Sequence, residues 1–174
     1  MSPQEADAAA ATMRIDPVLR TASAWREASL PAPEHFAAAV SILRTSQIVG
    51  ATFDRVLRER GITRNAYLLL ITLRVREGYA DTLSRLSRQL IVHPTTVSMA
   101  VDQLERLGYV ERVPDATDGR TTIARVTEEG LRATDAASQA LADAKYGLGE
   151  TSASLAAAAT EILRQVRHEG DSPD

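Results

Sequence analysis

The residues best equipped for chemistry fall between positions 82 and 126. Arg85 and Arg88 stand one helical turn apart, ahead of the run His93-Pro94-Thr95-Thr96-Val97-Ser98. Arg112 and Arg125 then bracket a polar loop that contains Asp118 and Arg120. Guanidinium groups offer planar forks to phosphate oxygens, and small hydroxyls reach base edges and phosphates at close range. This is the chemistry of holding a polyanion. Plainer readings exist beside it: the hydroxyls serve as helix caps, His93 as the cap itself, and Arg85 and Arg88 as a solvated face.

Bond-making sets are missing from the sequence. There is no cysteine, which excludes thiolate nucleophiles, disulfides and thiol redox sensing. His35, His93 and His168 are too widely spaced for a zinc motif. No glycine-rich phosphate loop, nucleophile elbow or carboxylate–histidine pair occurs. The expectation is a binding protein with no catalytic residues, no metal and no cofactor.

The charge map qualifies this picture. The chain has 174 residues and a net charge of −3, and all its basic residues but Lys145 are arginine. Seven arginines against Glu34, Asp54, Glu59 and Glu77 leave residues 33–80 at +3, residues 81–126 balance, and residues 127–174 stand at −5. The negative total therefore sits mostly near the C-terminus and does not exclude a nucleic-acid partner. Met1 to Ala11 has acids and no basic region, unlike a secretory signal. Uninterrupted apolar runs fall well below the roughly 20 residues of a membrane span. A cytoplasmic protein without a membrane partner is the simplest expectation.

The elements that must position these residues are legible from period and punctuation. The first dozen residues read as mobile. Asp16-Pro17 is an N-cap followed by a first-turn proline, so Pro17 to Ala28 is expected to form a short helix carrying Trp25. A long helix follows from Glu34 to Arg60, with Phe36, Val40, Leu43, Gln47, Gly50, Phe53 and Leu57 on one stripe. Gln47 interrupts that stripe and calls for a buried partner or a ligand. Thr63 caps a helix to about Arg76. Asp81 to Ser84 is strand-compatible, Ser84 to Gln89 a compact helix, and Pro94 to Leu107 a helix closed by Gly108. Tyr109–Val113 and Thr121–Val126 read as a β-hairpin. Thr127 caps a helix to about Tyr146, and an alanine-rich helix runs from Ser152 or Ser154 to His168.

Helix, turn, helix, hairpin is the sequence order of a winged helix. The stretch Leu83-Ser-Arg-Leu-Ser-Arg-Gln-Leu-Ile-Val-His-Pro-Thr-Thr-Val-Ser, then Leu104-Glu-Arg-Leu-Gly-Tyr-Val-Glu-Arg, Asp118-Gly-Arg-Thr-Thr and Val126-Thr-Glu-Glu-Gly resembles the MarR family of bacterial transcriptional regulators. The resemblance covers about residues 34–168. It implies a mainly α fold with a small β hairpin: a winged helix-turn-helix lobe over residues 63–126, a helical dimerisation region over 33–62 and 127–169, and an N-terminal extension over 1–32.

By the same resemblance the protein is a homodimeric repressor, and Pro94–Leu107 is its recognition helix. Arg120 reaches the minor groove, and Asp118 orients it or a neighbouring arginine. The partners implied are double-stranded DNA with a pseudo-palindromic operator and a small effector, an aromatic or phenolic acid or its CoA thioester. Trp25, His35, Arg44, Gln47 and Tyr67 are candidates for the effector pocket, and each reads equally as core or interface. The family often has a basic residue where this chain has Met99, and another near Gln103. Here the helix offers Arg106 against Asp102 and Glu105. A winged-helix module that binds a protein or a small molecule, without specific DNA binding, is the alternative.

Overall fold

A computed structural model describes residues 16–114 and 121–170. The first residues of the chain, its last four, and the wing tip with Asp118 and Arg120 lie outside the described residues. The element order is α1 (Pro17–Glu27), α2 (Pro33–Arg58), α3 (Arg64–Arg74), β1 (Ala80–Thr82), α4 (Leu83–Leu90), α5 (Pro94–Arg106), β2 (Val110–Pro114), β3 (Thr122–Val126), α6 (Glu128–Asp143) and α7 (Ala153–Gly170). Short 3₁₀ turns at Glu77–Tyr79 and Lys145–Gly147 precede β1 and follow α6. The helix expected to reach Tyr146 stops at Asp143, because Lys145 and Tyr146 take positive φ.

The chain divides into two compact units, Met1–Gly50 and Ala51–Asp174. The division falls inside α2. The cause is burial. Val56 and Leu57 belong to the core of the second unit, whereas Ile42, Leu43 and Ile48 remain exposed. In the first unit, Asp16 accepts a hydrogen bond from the Val18 amide at 2.8 Å and starts α1. Trp25 stacks on Phe36 with ring centroids 4.1 Å apart, and its indole N–H donates to the Pro31 carbonyl.

The second unit is built around α3. Its Ala66, Tyr67, Leu69, Leu70 and Leu73 are all buried, so this helix is apolar on most of its circumference. One stripe of α5 packs into the same core: Val97, Ala100, Val101 and Leu104, at spacings of three, four and seven. Ala137 and Leu141 of α6 close it from another side. The sheet has three antiparallel strands in the order β1-β3-β2, with Asp81 opposite Ala124 and Arg112 opposite Ala124 on the other edge. The hairpin is marked in the sequence, but nothing there shows that the short Ala80–Thr82 segment joins it. That strand ends at Thr82, whose hydroxyl accepts from the Arg85 amide and starts α4.

Two backbone details hold the lobe in shape. The chain leaves α5 through Gly108 at φ +73°, with the Tyr109 amide bonded to the Leu104 carbonyl and the Gly108 amide to the Glu105 carbonyl. Thr127 then returns to this point. Its amide donates to the Tyr109 carbonyl, its hydroxyl donates to the Gly108 carbonyl at 2.7 Å, and that same oxygen accepts from the Gly130 amide. The approach is so close that a Cβ on Gly130 would lie 2.0 Å from the Tyr109 carbonyl oxygen. Elsewhere Ile91, an exposed β-branched residue, takes the left-handed conformation (φ 53°) in the turn between α4 and α5.

Opposite outcomes follow for these two positions. Gly130→Ala should destabilise by about 3 kcal/mol or more, because backbone must move to admit the methyl group. Ile91→Gly should stabilise by about 0.5–1 kcal/mol, the left-handed strain outweighing the glycine entropy cost. Equilibrium denaturant unfolding measures both.

Candidate nucleic-acid interface

The start of α5 is a capped, outward-facing helix end. His93 is the N-cap: its Nδ1 accepts from the Thr95 amide at 3.3 Å and lies 3.0 Å from the Thr95 hydroxyl. With Nδ1 accepting from the amide, the proton of a neutral ring sits on Nε2, which leaves that nitrogen as a donor. Pro94 occupies the first helical position, where its missing N–H costs nothing. Thr95 is exposed, and Thr96 and Ser98 are half-buried. The apolar stripe of the helix faces the core, so the polar start of α5 faces away from it.

The arginines divide sharply in use. Arg88 is exposed and makes no ion pair among the described residues. Arg85 is exposed but lies 3.8 Å from buried Asp81, which also pairs with Arg76 at 3.3 Å. Arg125 faces Glu111 across the strands at 3.6 Å. Arg112 is the most committed. From β2 its guanidinium spans α5, with one nitrogen 2.6 Å from Asp102 and the other on Glu105. The bond to Asp102, then that to Glu105, pushes its pKa above the ordinary arginine value. By sequence Arg112 is a candidate DNA contact; in the structure its fork lies on α5, where its one positive charge offsets one of the two negative charges of Asp102 and Glu105. Asp118 and Arg120 lie outside the described residues.

Gln103 plays a part the sequence does not reveal. Its amide donates to the Gly61 carbonyl at 3.1 Å, and its oxygen accepts from the Thr63 hydroxyl at 3.0 Å. Thr63 simultaneously caps α3 through the Ala66 amide. One side chain thus ties the middle of α5 to the corner between α2 and α3. The contact joins residues 40 apart in sequence, and no periodic signal marks it. Asp102 and Glu105 stand three apart on one helical face, but nothing in the sequence brings Arg112 to them.

The effector-pocket candidates fall in both compact units. In the first, Trp25 is stacked on Phe36, while His35, Arg44 and Gln47 are exposed. Gln47 has no burial to satisfy in one chain, because its stripe neighbours Leu43 and Ile48 are exposed as well. In the second unit Tyr67 is buried, its hydroxyl 3.0 Å from Ser138 Oγ and its ring edge-on to Phe53. Burial pushes its pKa up. Among the described residues no group of His, Asp or Glu could hold a metal ion.

Known proteins share this arrangement. A family model described as "MarR family" matches residues 60–121. The crystal structure of Sco5413, a MarR family transcriptional regulator from Streptomyces coelicolor, is 32% identical, covers 81% of this chain and 99% of its own, and superposes with a TM-score of 0.72. Sco3205, a MarR family regulator from the same organism solved in complex with DNA, shares the fold at 23% identity, with 82% and 91% coverage and a TM-score of 0.71. The transcriptional regulator PecS of Dickeya dadantii is 28% identical over 92 residues, or 52% of this chain and 55% of PecS. The chain therefore spans about half the length of that curated relative.

The Arg112 fork gives a direct test. Arg112→Ala should lower stability by about 1–2 kcal/mol, with a partly exposed but bidentate pairing lost. In an Asp102→Asn, Glu105→Gln background the same substitution should cost less than half as much, as a double-mutant cycle in denaturant would show.

Proposed function

The chain belongs to the MarR family of transcriptional regulators, and from that premise we propose that it is a homodimeric repressor that binds a pseudo-palindromic operator and is released by a small organic effector. The observation that carries this reading is the outward, capped start of α5, set beside an arginine-paired acidic couple and a two-stranded hairpin. Arg85, Arg88, His93, Pro94, Thr95, Thr96 and Ser98 form the major-groove side, and Arg120, with Asp118 beside it, the minor-groove side. Arg112 belongs to the same DNA-binding set, and its pairing with Asp102 and Glu105 also holds the helix.

Dimerisation is supported by apolar surface that one chain leaves uncovered. On α7, Leu155, Ile162 and Val166 are 52–64% exposed at spacings of seven and four, which is one helical face. On α2, Leu43 and Ile48 are exposed too. By length and composition α2 could also cross a bilayer. Arg44 sits at its midpoint, where a bilayer would cost about 2.5–3.5 kcal/mol, so a protein partner suits it better. The effector is proposed to be an aromatic or phenolic acid or its CoA thioester. Within the first unit Trp25 offers it aromatic surface, and His35, Arg44 and Gln47 offer polar groups.

Titration of the full chain against its own upstream DNA tests the core of this reading. About six to eight phosphate contacts per dimer predict an affinity loss on the order of 10³–10⁴ between 50 and 200 mM salt. Arg120→Ala should cost roughly 1–3 kcal/mol. Leu155→Glu with Ile162→Glu should yield monomers by sedimentation and abolish operator binding. A folded dimer without any specific duplex would favour the protein-binding alternative instead. Aromatic acids that raise thermal stability should also weaken operator binding; if none does both, the effector part fails.

A further inference from the structure

The outward side chains of α5 can be accounted for one by one. His93 is used as the cap. Gln103 is bonded to Gly61 and Thr63, and Asp102 and Glu105 to Arg112. Arg106 folds its Nε back onto the Asp102 carbonyl. The centre of the helix is therefore almost bare of free hydrogen-bonding groups. In their place stands Met99, 67% exposed. It lies one turn after Thr95 and one turn before Gln103. It borders a shallow cleft of about 350 Å³, lined also by Thr63, Asn65, Thr96 and Arg106.

A thioether in that place offers a base edge little beyond apolar contact. The apolar feature of the major groove is the C5-methyl of thymine. The methionine chain is unbranched and flexible, so it can cover a methyl group without a fixed approach angle. We infer that Met99 is a specificity-determining residue of the DNA contact, and that it reads a thymine methyl group in each half-site. The inference rests on the DNA-binding reading above and names the base feature that this helix selects. It also explains how a helix with its acids paired and its amide diverted can distinguish sequences. Selection comes from a methyl contact at its centre, with the hydroxyls of Thr95 and Ser98 a turn or less before it.

Replacing thymine by uracil removes that methyl group and nothing else. The operator is taken from the upstream DNA or selected by the full-length protein from random duplexes. Each thymine is then changed singly to uracil, and binding is followed by fluorescence anisotropy. Wild type should lose about fourfold at one thymine in each half-site, the worth of one buried methyl-sized group. Met99→Ala should bind the thymine duplex more weakly by about the square of that factor, because both protomers lose the contact, and show no preference between thymine and uracil there. Its discrimination elsewhere should be unchanged. Because Met99 is exposed, its unfolding midpoint should match wild type, and Met99→Gln serves as a second variant of similar length. Uracil tolerated at every position, or a thymine preference equal in wild type and Met99→Ala throughout, overturns the inference while the regulator reading stands. If the folded wild-type chain selects no duplex at all, that reading falls and the inference with it.

Discussion

The setting of α5 depends on one guanidinium. Asp102 and Glu105 face outward from α5 within two turns of its polar start, and in water-exposed positions they would meet any polyanion with repulsion. Arg112 reaches from β2 and takes both carboxylates on one planar fork. A lysine could satisfy one of them but not both, since its charge is a single point. The fork also fixes the angle between α5 and the wing strand, because each carboxylate lies on a different turn of the helix. Partial charge compensation and orientation are thus a single contact.

The second constraint is where the helix meets the rest of the unit. Gln103 holds α5 to the corner that links α2 and α3, and Thr63 shares its hydroxyl between that bond and the cap of α3. On the far side, Gly108, Tyr109, Thr127 and Gly130 clasp the exit of α5 to the start of α6. The Val56–Leu57 end of α2 lies in the same core as α5. A displacement of that end of α2 must either break the Gln103 bonds or carry the helix with it. The second keeps the packing of Val56 and Leu57 against the shared core intact. This is a physical route by which an event at α2 could alter the pose of α5.

Local elements are legible in the sequence because their signals are local. Asp16-Pro17, Thr63 and Thr127 each announce a helix start, and each side chain makes the capping bond expected of it. Gly108 announces a helix end, and the backbone there does turn left-handed. The Thr-Glu-Glu-Gly start stands out as a motif, but only the Tyr109 carbonyl packed against its glycine explains why that residue has no side chain. The site is less legible. The role of Arg112 depends on a partner ten residues away, that of Gln103 on one forty residues away. Neither separation leaves a period. Gln47 is read from its place in an apolar stripe, and in one chain that stripe is exposed at Leu43 and Gln47 while Gly50 and Leu57 are buried.

The charge pattern bears on selectivity as much as on affinity. Non-specific DNA binding is almost wholly electrostatic. In this lobe the arginines at positions 76, 85, 112 and 125 each stand within 4 Å of a carboxylate, which lowers the potential available to attract arbitrary sequence. Base-edge contacts are not reduced by such pairing. On the proposed reading, a lobe that balances its own charge and reads through hydroxyls and a methionine gives up general attraction more than specific recognition. The ratio between the two rises, and that ratio, set against the number of competing sites, governs occupancy of an operator. The near-neutral lobe then follows from the demand on it, since a helix that must ignore most DNA is better served by arginines turned inward than by arginines spread along its face.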